Sequence, residues 1–347
     1  MIGERLKRAR AASGLSMADL GSQAGVSANM IKKYEHGDSM PSSSVLIAIS
    51  KALGVRTEYF FRPNVVQLSG VEYRKKASTP KKILNKLTAD VLDQAERWFE
   101  LRNLWPEFPM PEFAAPDNLP AIQVLEDIED VALAVRQSWR LGIDAIGDLI
   151  GLLESHGILV ITTDSEHADK IDGLQASVEG IPVVVVSTAW PGCRQRFTLA
   201  HELGHLILHD LLPSDMDEEK ACNRFAGAFL FPRDSVIASL GNERHGLNWK
   251  ELDLLKHEFG ISMSAIMYRG KDLGILSESV HKRLSIEFSK NGWRSNEPGE
   301  TYPKEHTLLF EQLVYRGAGE GILSDSKAAE LLKMSSYDFR KSKMMAS

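Results

Sequence analysis

The chain has 347 residues, of which 43% are hydrophobic and 25% charged, a composition that excludes disordered and fibrous proteins. Its length predicts at least two domains, because single hydrophobic cores stop growing below this size. The net charge of −6 is divided unevenly: residues 1–86 carry 15 basic and 6 acidic side chains, a net of +9, while the other 261 carry 26 and 41, a net of −15. Because phosphate contacts need Lys and Arg, this asymmetry predicts a basic end that faces nucleic acid and an acidic body.

Features of membrane and secreted proteins are missing from the sequence. The longest apolar run, residues 181–186, is strand-sized and far below the roughly 18 residues that cross a bilayer. The N-terminal MIGERLKRAR lacks the apolar core of a signal peptide. Cys193 and Cys222 are too few for a disulfide framework or a four-cysteine zinc site. We therefore expect a cytoplasmic protein with no membrane contact.

The N-terminal region has the pattern of four short helices. Apolar residues recur at helical spacing from residue 2 and stop near residue 14. Ser16 and Ser27 are good N-caps for the second and third helices, which Gly25 and Gly37 close, and Ser44 can cap a fourth. The tight turn at residues 25–27 indicates a helix-turn-helix, whose second helix fits the major groove of DNA.

The stretch GLSMADLGSQAGVSANMIKKYEHGDSMPSSSVLIAISKALGV resembles the XRE family of DNA-binding domains, over about residues 2–63. The resemblance implies an all-α head of five helices that binds double-stranded operator DNA as a homodimer. In this pattern Ala28, Asn29 and Lys33 face base edges, while Ser27 and Lys32 approach phosphates. The alternative is a helical bundle that holds a partner protein instead of DNA, which the basic charge of the head opposes.

The segment after the head is predicted to connect it to the body. Six basic residues lie between Arg74 and Lys86, and they form either an arm along the DNA backbone or a solvated hinge. Residues 88–105 return to helical periodicity. Five prolines then fall within residues 105–120, which predicts an extended spacer at 106–120.

The acidic body is predicted to be α+β and to contain a metal motif. Two helices over 122–155 precede three strands, and RQRFTLAHELGHLILHD then takes the period of a helix. Within it, His201 and His205 lie one turn apart on one face, so both imidazoles can reach one tetrahedral metal ion. Glu202 is placed beside them to accept a proton. The alternative is a helix whose histidines are ordinary surface or core residues.

A third metal ligand is expected on the next helix, DMDEEKACNRFAGAFLFP. Glu218 and Glu219 are both candidates, and Asp217 and Glu218 are alternatively only N-terminal capping charges. Asn223 lies one turn after Glu219, where it can bind a neighbouring group.

The segments RQRF, AHELGHLILH and EKACNRFAGAFLFP resemble the ImmA/IrrE group of gluzincin-type metallopeptidases, over about residues 145–290. The resemblance implies a Zn²⁺ site with His201, His205 and Glu219 as ligands and Glu202 as the general base. It also implies a zincin-like fold and peptide-bond hydrolysis. Members of this group are often found with XRE domains, and the implied substrate is an XRE-type repressor or this chain itself.

Two further side chains near the motif have open roles. His209 lies near the same helix face as His201 and is either a donor to the transition state or a solvated residue. Cys193 precedes the first ligand and is either a fourth, inhibitory metal ligand or a buried thiol. Cys222 is expected in the core.

The predicted fold class is an α+β multidomain protein with a helical C-terminal region, where two helix-turn-helix rhythms favour packing over DNA contact. Four regions follow: the head at 1–63, the arm, helix and spacer at 64–120, the metallopeptidase domain at 121–245 and the helical region at 246–347. The predicted function is a transcriptional regulator with a fused zinc endopeptidase. The alternative is a non-enzymatic, antitoxin-like repressor whose zincin body binds a toxin.

Overall fold

The computed structural model describes residues 2–61, 69–75, 81–163 and 171–345. Helices dominate these residues, and four strands form one sheet. This arrangement confirms the α+β fold class. Within the described ranges, no helix has both the length and the apolar character needed to span a membrane.

The head consists of four α-helices and a short 3-10 helix, which together make the five predicted helical elements. They are α1 (Ile2–Ala12), α2 (Met17–Ala24), α3 (Ala28–His36), α4 (Ser43–Leu53) and the 3-10 helix Thr57–Phe61. Ser16 and Ser27 cap α2 and α3, and Gly25 and Gly37 end them in the left-handed conformation, as predicted. The predicted cap of α4 was wrong, because the Ser42 hydroxyl accepts the hydrogen bond from the Val45 amide.

The sheet has the strand order β1-β3-β4-β2. Its strands are β1 (Ser69–Lys75), β2 (Leu159–Thr163), β3 (Ile171–Val178) and β4 (Ile181–Ser187). The β2 and β4 strands run parallel, whereas β3 is antiparallel to both β4 and β1. Residues 69–75, predicted as part of an arm or hinge, therefore form an edge strand of the body.

Helices cover both faces of the sheet. One face packs against α5 (Lys81–Leu104), α14 (Leu309–Gly319), α15 (Asp325–Leu331) and α16 (Ser336–Lys343). The other packs against α6 (Ile128–Ser138), α7 (Leu149–Ser155), α8 (Gly192–Leu208), α9 (Glu218–Leu230), α10 (Arg233–Leu240), α11 (Trp249–Phe259), α12 (Met263–Asp272) and α13 (Glu278–Lys290). Val183 and Val185 enter the first core and Val184 and Val186 the second. This two-sided burial explains the uninterrupted valine run of β4.

The proline-rich segment is not an extended spacer. Phe108 and Met110 pack against the first core, and Phe113 packs against the second. The backbone of residues 111–113 lies so close to Gly157 that a Cβ there would come within 2.5 Å of the Phe113 nitrogen. These contacts attach the segment to the body.

The head is attached to the body through charged side chains of α1. The Arg5 Nη1 lies 2.8 Å from Glu96 Oε2 on α5, and Arg8 binds the other oxygen of the same carboxylate. The side chains of Arg5 and Glu96 are 2% and 7% exposed. Arg56 also donates to the Met334 carbonyl oxygen over 3.1 Å. Part of the basic charge of the head therefore binds the body and is not available to DNA.

Candidate metal centre and nucleic-acid interface

The predicted metal motif lies where α8 and α9 cross. Leu199, Leu203 and Ile207 of α8 point into the core, which fixes the rotation of the helix. Gly204 lets the helices approach closely, because a Cβ at this position would come within 3.2 Å of the Cys222 Cα. The crossing brings the first turn of α9 to the histidine-bearing face of α8.

His201, His205 and Glu219 direct three donor atoms toward one point. The His201 and His205 Nε2 atoms are 3.1 Å apart, and the Glu219 carboxylate oxygens lie 3.6 Å and 3.5 Å from them. A tetrahedral ion with bonds of about 2.0–2.2 Å separates its ligand atoms by about 3.3–3.6 Å. The two carboxylate distances fall in this range and the two nitrogen atoms are slightly closer, so a small movement of one ring fits the three donors to a single transition-metal ion.

The other nitrogen of each imidazole has its own partner. The His201 Nδ1 lies 3.1 Å from Asn223 Oδ1, and the His205 Nδ1 lies 3.0 Å from Glu218 Oε1. If each Nδ1 donates to its oxygen partner, both Nε2 atoms carry lone pairs at close range, and a cation between them removes the repulsion. In these tautomers the outer hydrogen bonds leave both Nε2 lone pairs available to a metal ion.

Glu218 has a contact that sequence reasoning missed. Asp217 caps α9 by accepting from the Lys220 amide, and this hydrogen bond lowers the pKa of Asp217. Glu218 is therefore not needed as a cap, and its carboxylate binds His205 instead. It also forms a second possible donor group with His205 and Cys222, whose donor atoms lie within 4.8 Å of one another. The spacing of Glu218 from the motif carried no signal of this contact.

The site is buried on one side and open on the other. The His201 side chain is fully buried and His205 is 13% exposed, whereas Glu219 is 63% exposed. Glu202 follows His201 on α8 and is 4% exposed. An ion held here would therefore be reached from the Glu219 side, with a buried carboxylate close by in the chain as a proton acceptor.

His209 and Cys193 are not among the three converging donors. His209 ends α8 with a 75% exposed side chain, and its Nδ1 lies 3.8 Å from Glu218 Oε1. Cys193 is buried, and burial raises the pKa of its thiol to about 12. Among the described residues it belongs to neither group of possible metal ligands, which favours the buried thiol over the inhibitory ligand. Cys222 is fully buried in the core, as predicted.

A buried charge network holds α9 in place. Glu129 of α6 receives two hydrogen bonds from Arg269 of α12, at 2.6 Å and 2.9 Å, and one from Arg224 of α9 at 3.1 Å. Burial raises the pKa of Glu129, but the two guanidinium groups together lower it by more than burial raises it, so the pKa lies below its usual value. The network fixes the helix that carries Glu219 and Asn223.

The predicted DNA-contacting residues all lie on an exposed face. Ser27, Ala28, Asn29, Lys32 and Lys33 are exposed at the start and along the outer side of α3. The buried side of α3 carries Ile31 and Tyr34, which pack in the core of the head. The face of α3 that carries these five residues thus points away from the core of the head, as the contact face of a recognition helix must.

Asn223→Ala is expected to weaken metal binding about 10–100-fold, because the His201 ring loses the hydrogen bond that orients it. A competition titration of Zn²⁺ against a chromogenic chelator measures the change. Lys220→Ala on the same helix is the control, since its side chain pairs only with Asp217 among the described residues. Equal affinities in parent and Asn223→Ala would show that the contact does not support the site.

Two family models match the chain. Residues 6–60 match the helix-turn-helix model and include the exposed face of α3. Residues 153–271 match the IrrE N-terminal-like domain and include every residue of the metal motif. Because that domain is a metallopeptidase family, the match implies a metal.

Two curated proteins are similar to parts of the chain. The radiation response metalloprotease IrrE of Deinococcus radiodurans is 35% identical over 99 residues, which cover 25% of this chain and 30% of that protein. An uncharacterized transcriptional regulator in the ATPase CF(0) region of Rhodospirillum rubrum is 42% identical over 60 residues, which cover 17% of this chain and 56% of that protein. The chain thus spans less than two thirds of either relative. It combines an XRE-type helix-turn-helix domain at residues 6–60 with an IrrE/ImmA-like metallopeptidase-family domain at residues 153–271.

Proposed function

We propose that this protein is an operator-binding transcriptional regulator with a fused zinc-dependent endopeptidase. The observation that carries the peptidase half is the convergence of the His201, His205 and Glu219 donor atoms at 3.1–3.6 Å. The exposed polar face of α3 supports the DNA-binding half. The similarity to a named metalloprotease and to a named transcriptional regulator supports the combination.

The proposed chemistry assigns distinct roles to the side chains. A zinc ion held by the three donors would supply Lewis acidity and lower the pKa of water toward neutrality. Glu202 accepts the proton of the attacking water and returns it to the leaving amine. Asn223 and Glu218 hold the imidazole rings in orientation. His209, at the exposed end of α8, is the proposed donor to the developing oxyanion.

The proposed substrate is an XRE-type repressor, either a separate protein or this chain's own head. A chelator-sensitive cut at a defined bond, mapped by mass spectrometry after incubation with a cognate repressor, is the expected result. If the chain cuts its own head within the same molecule, the first-order rate constant of cleavage will not depend on the concentration of the chain. The proline-rich segment at 106–120 would have to detach from the body before it could enter a cleft as an extended substrate.

A stable, uncleaved complex with the product of a neighbouring small reading frame would instead favour the antitoxin-like alternative. In that case both the metal-loaded chain and its partner stay intact after prolonged incubation. The zincin body would then act as a binding module.

The DNA-binding half is proposed to act as a homodimer, whose two α3 helices read half-sites about one helical turn apart. On a site selected from random DNA, Asn29→Ala is expected to lose about 1–3 kcal/mol of base discrimination. Lys32→Ala should weaken binding to all DNA sequences. It should also reduce the slope of the logarithm of affinity against the logarithm of salt concentration by about 1. Fluorescence anisotropy at several salt concentrations measures both effects. Lys290→Ala, which removes an exposed charge from α13, is the control, and equal losses in all three variants would exclude α3 as the reading helix.

A further inference from the structure

The edge strand β1 belongs to the sheet of the body but comes from the segment next to the head. It is the outermost strand and pairs antiparallel with β3. Without it, β3 would present its backbone N–H and C=O groups at an open edge, and extended peptides bind to such edges as added strands. Residues 69–75 thus occupy a ready-made binding edge for a peptide.

This edge belongs to the layer that carries the proposed metal site. The helix α8, which bears His201 and His205, packs across β3 and β4. A peptide that replaced β1 would therefore add to the strand directly under the histidine-bearing helix. The opposite edge is formed by β2, which is parallel to β4.

The pairing of β1 is less regular than that of its neighbours. Its register with β3 shifts between Ser69 and Glu72 and again between Arg74 and Lys75, so that only residues 72–74 pair in unbroken succession. The β3 strand pairs with β4 without interruption from Gly173 to Val178. Irregular pairing at an edge loses fewer hydrogen bonds on release than a regular ladder does. Residues 69–75 should therefore leave the sheet at a lower cost than a strand with an unbroken ladder would.

We propose that the free edge of β3 is the binding site for an extended peptide substrate, and that residues 69–75 occupy it in cis. A substrate strand gains access when β1 leaves the sheet. This inference rests on the proposed peptidase function and assigns its peptide-binding surface. It also connects that surface to the DNA-binding head, since seven residues separate β1 from the last helical residue of the head, Phe61.

The first test releases β1 by proline substitution. Backbone N–H groups of successive strand residues point alternately toward the neighbouring strand and away from it. Of the two variants Tyr73→Pro and Arg74→Pro, one therefore removes a hydrogen-bond donor to β3. The other removes an N–H that points away from β3 and serves as the control. The probe is fluorescein-labelled SGVEYRK, the sequence of β1, and the full chain carries Glu202→Gln so that nothing is cut. At least one variant is expected to bind the probe about tenfold more tightly, because the competing strand is released. Unchanged affinity in both variants, with native circular dichroism, would overturn the proposal.

The second test locks β1 in place and needs no destabilised chain. Glu72 and Gln175 are Cα partners in the register, and antiparallel partners lie about 4.5–5.5 Å apart, within reach of a disulfide. The variant Glu72→Cys/Gln175→Cys should lose binding of the labelled peptide when oxidised and regain it on reduction. The native cysteines are buried and do not compete. Equal affinity in both redox states, with the disulfide verified by mass spectrometry, would contradict the proposal.

The two proposals fail in different ways. If the peptidase function is wrong, no metal-loaded chain cleaves a repressor, yet the proline and locked variants still differ in peptide binding. If the edge assignment is wrong, the parent cleaves its substrate while all variants bind the peptide equally.

Discussion

Glu202→Gln is expected to lower the peptidase rate of the metal-loaded chain about 10²–10⁴-fold, the usual contribution of a positioned general base. The substitution keeps the shape of a side chain that is 4% exposed, but an amide cannot accept the proton of the attacking water. Metal content and thermal stability should stay at the parent values, because the three proposed ligands are unchanged. Initial cleavage rates at equal metal loading measure the effect.

Asp210→Asn is the matched control for this substitution. It makes the same carboxylate-to-amide change at an exposed position just after α8, and its cleavage rate should equal that of the parent. If Glu202→Gln cleaved as fast as Asp210→Asn at equal metal content, Glu202 would not be the base.

The largest expected effect on stability is that of Glu129→Ala. It removes the carboxylate that receives hydrogen bonds from Arg224 and Arg269, whose side chains are 7% and 2% exposed. Removing one partner of a buried ion pair leaves uncompensated charge in the interior and costs about 3–5 kcal/mol. We expect the free energy of unfolding to fall by this amount in chemical denaturation. Metal affinity should fall as well, because the network holds α9.

Asp130→Ala is the control for this variant, because it removes a carboxylate from an exposed ion pair and not from a buried one. Asp130 lies on the same helix, and its pair with Arg233 is exposed, with side chains 56% and 43% accessible. Such a surface pair is worth about 0.2–1 kcal/mol at most. Similar losses in the two variants would show that the Glu129 network has no special role.

The network also predicts a pH dependence. Because the folded-state pKa of Glu129 is lowered from its usual 4.5, its stabilisation is present above the unfolded pKa and is lost as the pH falls through the folded value. As the pH falls below about 5, the free energy of unfolding of the Glu129→Ala chain should therefore decrease less than that of the parent. Chemical denaturation of both chains at several pH values measures the difference.

Local patterns predicted the parts of the molecule that depend on neighbouring residues. The caps Ser16 and Ser27 and the facing histidines are set by spacing along one or two helices, and the structure places them as expected. Glu218 was one of the two candidate ligands, but its contact with the outer nitrogen of His205 was not predicted, because a carboxylate in a first helical turn is ordinarily explained by the helix dipole. Its contact with His205 depends on how α9 crosses α8, which spacing alone does not determine.

Long-range contacts account for the other features that the sequence did not predict. The alternation of Val71 and Tyr73 with polar residues is typical of a strand, but the basic residues around it suggested an arm. Only the position of β3 shows that residues 69–75 have a partner. The basic charge of the head was also misjudged for this reason. Arg5 and Arg8 bind Glu96 on α5, and no pattern within residues 1–63 indicated this contact.

The metal site is tested most directly by the zinc content of the purified chain and of two histidine variants. We expect about one zinc ion per chain in the parent and in His209→Ala, and close to none in a folded His201→Ala chain. Elemental analysis after dialysis, with circular dichroism to verify folding, gives the numbers. Equal zinc in the parent and in His201→Ala would contradict the metal centre and, with it, the proposed peptidase.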